Sequence, residues 1–418
     1  MSQPTPQLTV YGAPWCPDCK RAKKFLAEHR VAYRWIDIDQ DPDGLAYVER
    51  QQNGGRTIPM VMFPDGSRLL EPGNDELAAK LGLSLAAERT SYDLVIVGGG
   101  PAGLAAAIYA AREGIDALVV DKAGLGGQAG ITEKIENYPG FPEGIAGGEL
   151  ADRFVAQARR YGVELLSAVE ATGVERDADG VTVSLGSGQQ VMAPAVLIAT
   201  GSAYRRLGIP GEEELIGAGV HFCATCDGPF YRGAGELLVI GGGNSALEEG
   251  LFLAQFADRI RVVAHGPELK ASRVLQDKVR GHPQFTIHLN TDVRSLAGAG
   301  GRLTEVVATD RDSGAEYRWR PEAAFVFIGQ TPNTGWLGGP HPDSGVPSGG
   351  TLRLDRWGFV VTDDAFATSM PGVFAAGDVR AGTTKQLGAA VGEGIAALIA
   401  IRGYLQRHSD LRTLEVNA

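Results

Sequence analysis

A short apolar run that breaks at once into a glycine cluster and then into a helix occurs twice in this chain. That repeat restricts the fold more than any other feature. Asp93-Leu94-Val95-Ile96-Val97 leads into Gly98-Gly99-Gly100-Pro101-Ala102-Gly103, and Leu237-Leu238-Val239-Ile240 leads into Gly241-Gly242-Gly243-Asn244-Ser245-Ala246. A run apolar at every position is what a parallel strand buried on both faces requires. Glycines placed just after it let backbone approach a ligand, and the first N–H groups of the following helix suit a pyrophosphate. Gly is 58 of 418 residues, about twice the usual share near 7%. It is gathered in clusters of this kind, with Gly126-Gly127 another, and not in low-complexity tracts. An α/β chain with two nucleotide-binding units built alike is expected.

The two loops are not equivalent. Gly98, Gly100 and Gly103 satisfy G-x-G-x-x-G, with Pro101 and Ala102 opening the helix. Asp121 falls 21 residues after Gly100, at the end of the apolar run Ala117 to Val120, where a carboxylate can bind an adenosine ribose. The second loop, with Gly241, Gly243, Asn244 and Ser245, ends in Ala246, and the residue at the same offset from Gly243 is Ala264. Two dinucleotides are implied, the second recognised without a ribose carboxylate.

All four cysteines lie in two Cys-x-x-Cys pairs, Cys16-Pro17-Asp18-Cys19 and Cys223-Ala224-Thr225-Cys226. Each pair can close its own small ring and none is left for a structural bridge, so the sulfurs read as kept for redox exchange. Zinc is the competing use. A zinc ribbon separates its pairs by about 15–20 residues, whereas Cys19 and Cys223 stand 204 positions apart. No metal site is expected.

The length suits about three domains. A net charge of −11 argues against nucleic acid, which needs a basic face. Met1 to Gln7 is polar and Pro-rich, and no apolar stretch is expected to reach the ~20 residues of a membrane span. The chain is expected to be cytoplasmic, where paired thiols are usually catalytic or redox-sensing. The first 83 residues alternate strands at Leu8–Tyr11, Tyr33–Ile38 and Met60–Phe63 with helices at Pro17–Glu28, around a core at Tyr47–Gln52, and at Asp75–Leu81. Residues 84–91 read as a linker, which at ~3.5 Å per residue reaches about 28 Å.

From about Tyr92 to Leu405 the chain resembles low-molecular-weight thioredoxin reductases. The residues that carry this are Gly126-Gly127-Gln128, Glu136-Asn137-Tyr138-Pro139-Gly140-Phe141, Ala199-Thr200-Gly201, Cys223 to Pro229 and Ala375-Ala376-Gly377-Asp378. The resemblance implies FAD on the first unit, with Asp378 on the ribityl chain and Gln128 and Asn137 lining the flavin. Gly127, Thr200 and Gly377 fall within the same marks. It implies a split FAD domain, 92–202 and 325–418, with an NAD(P) domain, 203–324, inserted and carrying the second dithiol. A homodimer is also implied. Pro267-Glu268-Leu269-Lys270-Ala271, Val274 to Lys278 and Lys385-Gln386 are similar instead to the flavoprotein subunit of alkyl hydroperoxide reductase. At Ala264-His265-Gly266 both the Arg pair that relatives use for a 2′-phosphate and the Glu that others use for NADH are missing. Modest discrimination with a lean to NADH over NADPH is expected, with His265 and Lys270 the candidate phosphate contacts and His265 more plainly read as solvated.

Residues 8–83 resemble a glutaredoxin, with Thr57-Ile58-Pro59 as its cis-proline loop and Pro72-Gly73-Asn74-Asp75 where glutathione-using relatives have Gly-Gly. Some similarity to mycoredoxins leaves another low-molecular-weight thiol open. The fold expected is therefore α/β throughout: a thioredoxin-fold, glutaredoxin-like domain followed by a two-domain Rossmann-type reductase. Cys16, at a helix N-terminus and beside Lys20 and Arg21, is expected to attack and Cys19 to resolve. By resemblance Cys226 faces the flavin, Cys223 attacks the outgoing disulfide and Asp227 is the general acid. The inserted domain would swing about hinges near Ser202–Arg205 and Gly329–Asn333. Electrons would pass from NAD(P)H through FAD and both dithiols to a disulfide of thioredoxin, a peroxiredoxin or a small thiol. A dedicated peroxiredoxin donor and a redox sensor with negligible turnover are the alternatives.

Overall fold

The computed structural model describes residues 8–337 and 352–416, apart from residues 30, 131, 133, 179 and 301. The polar segment Met1 to Gln7 lies outside them. The chain divides into two compact units, one of residues 1–132, 145–201 and 332–418, the other of residues 133–144 and 202–331.

At the start of the first unit a four-stranded sheet runs in the order Arg34–Asp37, Thr9–Gly12, Met60–Met62, Arg68–Leu70, only the first pairing being parallel. Helix Pro17–Glu28 has the bounds the sequence suggested. The helix whose core was expected at Tyr47–Gln52 begins at Pro42, because Asp41 accepts the Gly44 N–H at 3.0 Å and Pro42 supplies the preset first turn. The edge strand Arg68–Leu70 was not expected. It has three residues, two of them exposed, and carries no apolar alternation to read.

The linker is not a free tether. Ala87 exchanges two hydrogen bonds with the Gln189 side chain, at 2.8 and 3.0 Å. Arg89 makes a two-pronged bond to Asp116 at 2.5 and 2.8 Å, and Met192 donates to the Thr90 carbonyl. Of residues 84–91, those from Ala87 onward are fastened to the reductase portion.

That portion holds a five-stranded parallel sheet in the order Val373–Ala375, Ala195–Ile198, Leu94–Val97, Ala117–Val120, Glu164–Leu166. Every residue of the first four strands is buried, as their apolar runs require. Helix Pro101–Arg112 lies close on the sheet: a Cβ on Gly103 would sit 1.9 Å from the Gly98 carbonyl oxygen. Helix Leu387–Val416 packs as closely on helix Pro101–Arg112, with Gly394 against the Ala102 carbonyl. Its segment Leu387–Arg407, with a mean hydropathy of 1.3, is long and apolar enough to cross a membrane by length and composition, contrary to the sequence expectation. Ala397, Leu398 and Ile401 on one face are buried in the same core as the sheet.

The second unit has a parallel sheet in the order Val220–His221, Ala323–Val326, Leu237–Ile240, Ile260–Val263, Phe285–His288, and a separate antiparallel sheet of Thr291–Ala299, Arg302–Asp310 and Glu316–Trp319. The expected boundary at 324 is corrected to 331. Ala323–Val326 is hydrogen-bonded between two strands of this sheet, so ending the unit at 324 would cut a central strand. Residues 133–144, assigned by sequence to the FAD half, belong here by contact. The entering strand Ser202–Tyr204 pairs with the leaving strand Gln330–Pro332, and Ser202 Oγ donates to Gln330 Oε1 at 2.9 Å.

Candidate active site

Each dithiol opens a helix, and the two are built alike. Cys16 is the N-cap of Pro17–Glu28 and its Sγ accepts the Cys19 N–H at 3.2 Å. Cys223 is the N-cap of Ala224–Asp227 and its Sγ accepts the Cys226 N–H, also at 3.2 Å. Their states differ: Cys223 and Cys226 are joined in a disulfide, whereas Cys16 and Cys19 are thiols. The Ile58–Pro59 peptide is cis, and the Ile58 carbonyl lies 3.8 Å from Cys16 Sγ. Cys19 is fully buried beneath Gly12 and Trp35, and burial, with the Cys16 hydrogen bond second, pushes its thiol up to about 12. Arg21, expected to add positive field at Cys16, is paired with Asp18 at 2.7 Å and donates to the Pro72 carbonyl.

In the first unit Gly98 has φ +113°, where a Cβ would meet the Ala199 carbonyl at 2.3 Å, while the space beside Gly100 is open. Gly100 caps the helix that Pro101 and Ala102 begin. Asp121, half-buried, accepts the Gly99 N–H at 2.6 Å and the Ala123 N–H at 2.8 Å. Burial raises its carboxyl against those two donors. Gly127 lies against Gly100, and Gln128 beside it is exposed. Thr200 Oγ1 donates to the Asn333 carbonyl, and Asn333 returns a bond to the Thr200 carbonyl, both at 2.8 Å. Gly377 donates to Glu393, which also holds Arg380. One oxygen of Asp378 is buried without a partner among the described residues, and burial raises that carboxyl. Lys385 Nζ donates to the Asp378 carbonyl at 2.5 Å, and burial brings its amine down to about 8. Gln386 stands at the head of helix Leu387–Val416, its carbonyl accepting the Ala390 N–H.

In the second unit Gly241 has φ +146° against the Phe327 carbonyl, and Gly243 caps helix Asn244–Leu253 with open space beside it. Asn244 Oδ1 accepts the Ser272 N–H at 2.7 Å, Ser245 is exposed, and the Lys270 N–H holds the Gly242 carbonyl at 2.8 Å. His265 is not simply solvated: its Nδ1 lies 2.5 Å from Asp292 and its Nε2 3.2 Å from Arg311. Arg294 reaches the other Asp292 oxygen at 3.3 Å. Two guanidinium groups thus stand at this strand end, supplied by the neighbouring antiparallel sheet, where the local sequence had shown none. Asn137, expected at the flavin, has its amide nitrogen 4.0 Å from Cys226 Sγ. Sequence reasoning missed His221. Its Nδ1 lies 3.3 Å from Asp227 Oδ2 and its Nε2 2.7 Å from the Tyr231 hydroxyl, yet nothing in the spacing of a two-residue strand marked it.

Residues 92–394 match the family model described as pyridine nucleotide-disulphide oxidoreductase, and residues 8–67 match the glutaredoxin model. The chain belongs to the pyridine nucleotide-disulphide oxidoreductase family. It is 37% identical over 313 residues to a thioredoxin reductase of Listeria innocua, covering 74% of this chain and 92% of that one. It is 34% identical over 332 residues to the Bacillus subtilis thioredoxin reductase, covering 78% and 99%. The crystal structure of thioredoxin reductase from Streptococcus pyogenes is similar, with a TM-score of 0.68, 35% identity and coverage of 76% and 99%. The protein is a flavin-dependent disulfide oxidoreductase of thioredoxin reductase type, with a glutaredoxin domain at its N-terminus.

The reductase's own residues fit FAD. The open approach beside Gly100 suits the pyrophosphate, and the unpartnered Asp378 oxygen suits a ribityl hydroxyl, since a buried acceptor lacking a donor is costly. When bound, FAD supplies the acceptance of hydride and its release as two electrons, which side chains cannot do.

Proposed function

We propose that the chain carries electrons from NADPH through FAD and Cys223–Cys226 to its own Cys16–Cys19, and from there to a disulfide on a redox protein or a small thiol. The observation that carries this reading is the matched construction of the two dithiols, each with an N-cap sulfur that accepts the N–H of its partner cysteine at 3.2 Å. A thiolate placed there is stabilised by unpaired N–H groups and the helix dipole.

The chemistry of the residues follows. Two electrons open the Cys223–Cys226 bond. The Cys223 thiolate attacks the Cys16–Cys19 disulfide, and the departing sulfur takes a proton from Asp227 acting as general acid. Cys226 then attacks Cys223 Sγ and displaces Cys16, restoring the Cys223–Cys226 disulfide and releasing the Cys16–Cys19 pair reduced. Cys16 attacks the acceptor disulfide, and Cys19, held as a thiol by burial, resolves the mixed disulfide as its proton is lost. Hinge motion of the inserted unit at the paired strands Ser202–Tyr204 and Gln330–Pro332 would present nucleotide and dithiol in turn.

The choice of NADPH, against the lean to NADH from sequence, rests on Arg294 and Arg311. The single carboxylate between them is already shared with His265, which leaves net positive charge at the strand end where a 2′-phosphate would lie. The reading is tested by steady-state assay of the FAD-loaded protein with NADPH and NADH against thioredoxin, a peroxiredoxin and low-molecular-weight disulfides. Nucleotide oxidation that none of these acceptors stimulates would overturn it.

A further inference from the structure

Three side chains near the Cys223–Cys226 disulfide form one line. His221 is 6% exposed, and its ring packs against Phe325 and Tyr231 with centroids 5.2 and 5.3 Å away. Its two nitrogens face Asp227 Oδ2 at 3.3 Å and the Tyr231 hydroxyl at 2.7 Å. Burial, and then the Asp227 charge, push the Tyr231 hydroxyl up to about 12, so it remains a donor. A neutral imidazole has one donor and one acceptor nitrogen. In the arrangement the proposal uses, Tyr231 O–H donates to Nε2, and Nδ1–H points at Asp227. The groups that face His221 are Asp227 and Tyr231 from the dithiol helix and the turn after it, and the uncharged Phe325 ring from the neighbouring strand.

We propose that His221 is a positioning residue for the Asp227 acid, with Tyr231 fixing its tautomer; this rests on the assignment of Asp227 made above. In the exchange step the new bond forms between Cys223 Sγ and one sulfur of the acceptor. The acceptor S–S bond breaks, and the electron pair stays on the departing sulfur, which takes the Asp227 proton. The carboxylate left behind keeps the His221 N–H as a donor. Asp227 recovers a proton from water, because its side chain is 24% exposed while that of His221 is sealed. The 3.3 Å contact is at the long end for a hydrogen bond, and such contacts tighten when the acid is used.

The test compares leaving groups in the full-length, FAD-loaded Cys16→Ser protein, where only Cys223 and Cys226 exchange. An aryl disulfide releases a thiolate that needs no proton, whereas an alkyl disulfide does not leave as readily. We expect His221→Phe to slow reduction of bis(2-hydroxyethyl) disulfide about tenfold, a loss of ~1.4 kcal/mol of transition-state stabilisation. The alkaline limb of its pH profile should move upward, because a carboxylate that loses a donor holds its proton more tightly. Reduction of 5,5′-dithiobis(2-nitrobenzoate) and flavin reduction by nucleotide should be unchanged. Tyr231→Phe, which keeps the ring, should give the same pattern more weakly, and His221→Gln, which restores an N–H, should recover part of the rate. Equal slowing of both disulfides by His221→Phe with no movement of the limb would mean that the residue only supports the fold, and would overturn the proposal. Should that variant not fold, an unaltered alkyl rate and limb in both Tyr231→Phe and His221→Gln would overturn it. If Asp227→Asn leaves the alkyl rate and its limb intact, the acid assignment fails first and the proposal with it.

Discussion

The Arg311 guanidinium stands 3.2 Å from Nε2 of His265, a residue 46 positions earlier in the chain. The pair closes over Asp292, which each of them contacts. Arg311→Ala should raise KM for NADPH about tenfold, ~1.4 kcal/mol, and leave KM for NADH within about twofold. Titration calorimetry provides a reading that does not depend on turnover: 2′,5′-ADP should bind the variant more weakly and 5′-AMP should not. Because these groups are exposed, the difference should shrink as salt is added. Equal loss for both nucleotides would show that Arg311 supports the loop and does not read the phosphate.

Asp378 presents a buried oxygen that no group among the described residues satisfies. Asp378→Ala should weaken FAD binding by about 10- to 100-fold, the range for one hydrogen bond to a charged group. Release of FAD fluorescence on dialysis measures it. FAD retention equal to that of the parent protein would remove Asp378 from the flavin site.

Cys16→Ser should abolish reduction of the physiological acceptor while nucleotide still reduces the flavin and Cys223–Cys226 at the normal rate. Only the last nucleophile is lost. Unimpaired acceptor reduction in this variant would mean that Cys223 reaches the acceptor directly and that the glutaredoxin domain serves docking or sensing.

Cys19 should resist alkylation. A thiol reacts as its thiolate, and with its proton held to about 12 Cys19 carries almost none at neutral pH. In the reduced protein, iodoacetamide at pH 7 to 9 should label Cys16 and spare Cys19, whose adduct should rise only as pH approaches 11. Peptide mass spectrometry reads both sites. Comparable adducts at pH 8 would reverse the roles of the two sulfurs.

What the sequence disclosed and what it did not divide along a physical line. Leu94–Val97, Leu237–Ile240 and helix Pro17–Glu28 were legible because burial, cap and first-turn chemistry are written in consecutive residues. That Asp121 follows a strand end and that the glycine loops open helices was legible through fixed offsets. The Arg294, Arg311 and Asp292 cluster was not, since two antiparallel strands bring it to a site whose motif lies near residue 265. The line from Tyr231 through His221 to Asp227 was equally hidden, because its members meet across a turn and a strand whose pairing no local pattern predicts. The unit boundary was misjudged for a similar reason. Nothing within Ala323–Val326 says which sheet it joins, and only its hydrogen-bond partners do.

The fastening of Ala87 and Arg89 to Gln189 and Asp116 separates two properties that a fusion would otherwise entangle. Residues 87–90 are held by reductase residues, so the junction would be retained if the domain ahead of it were exchanged. On the relay proposed above, a different redoxin joined at Ser84 would inherit the same attachment and the same electron supply, and would bring its own choice of acceptor. In that proposal the chain is laid out as a socket and a plug, in which acceptor range changes with the domain joined ahead of Ala87.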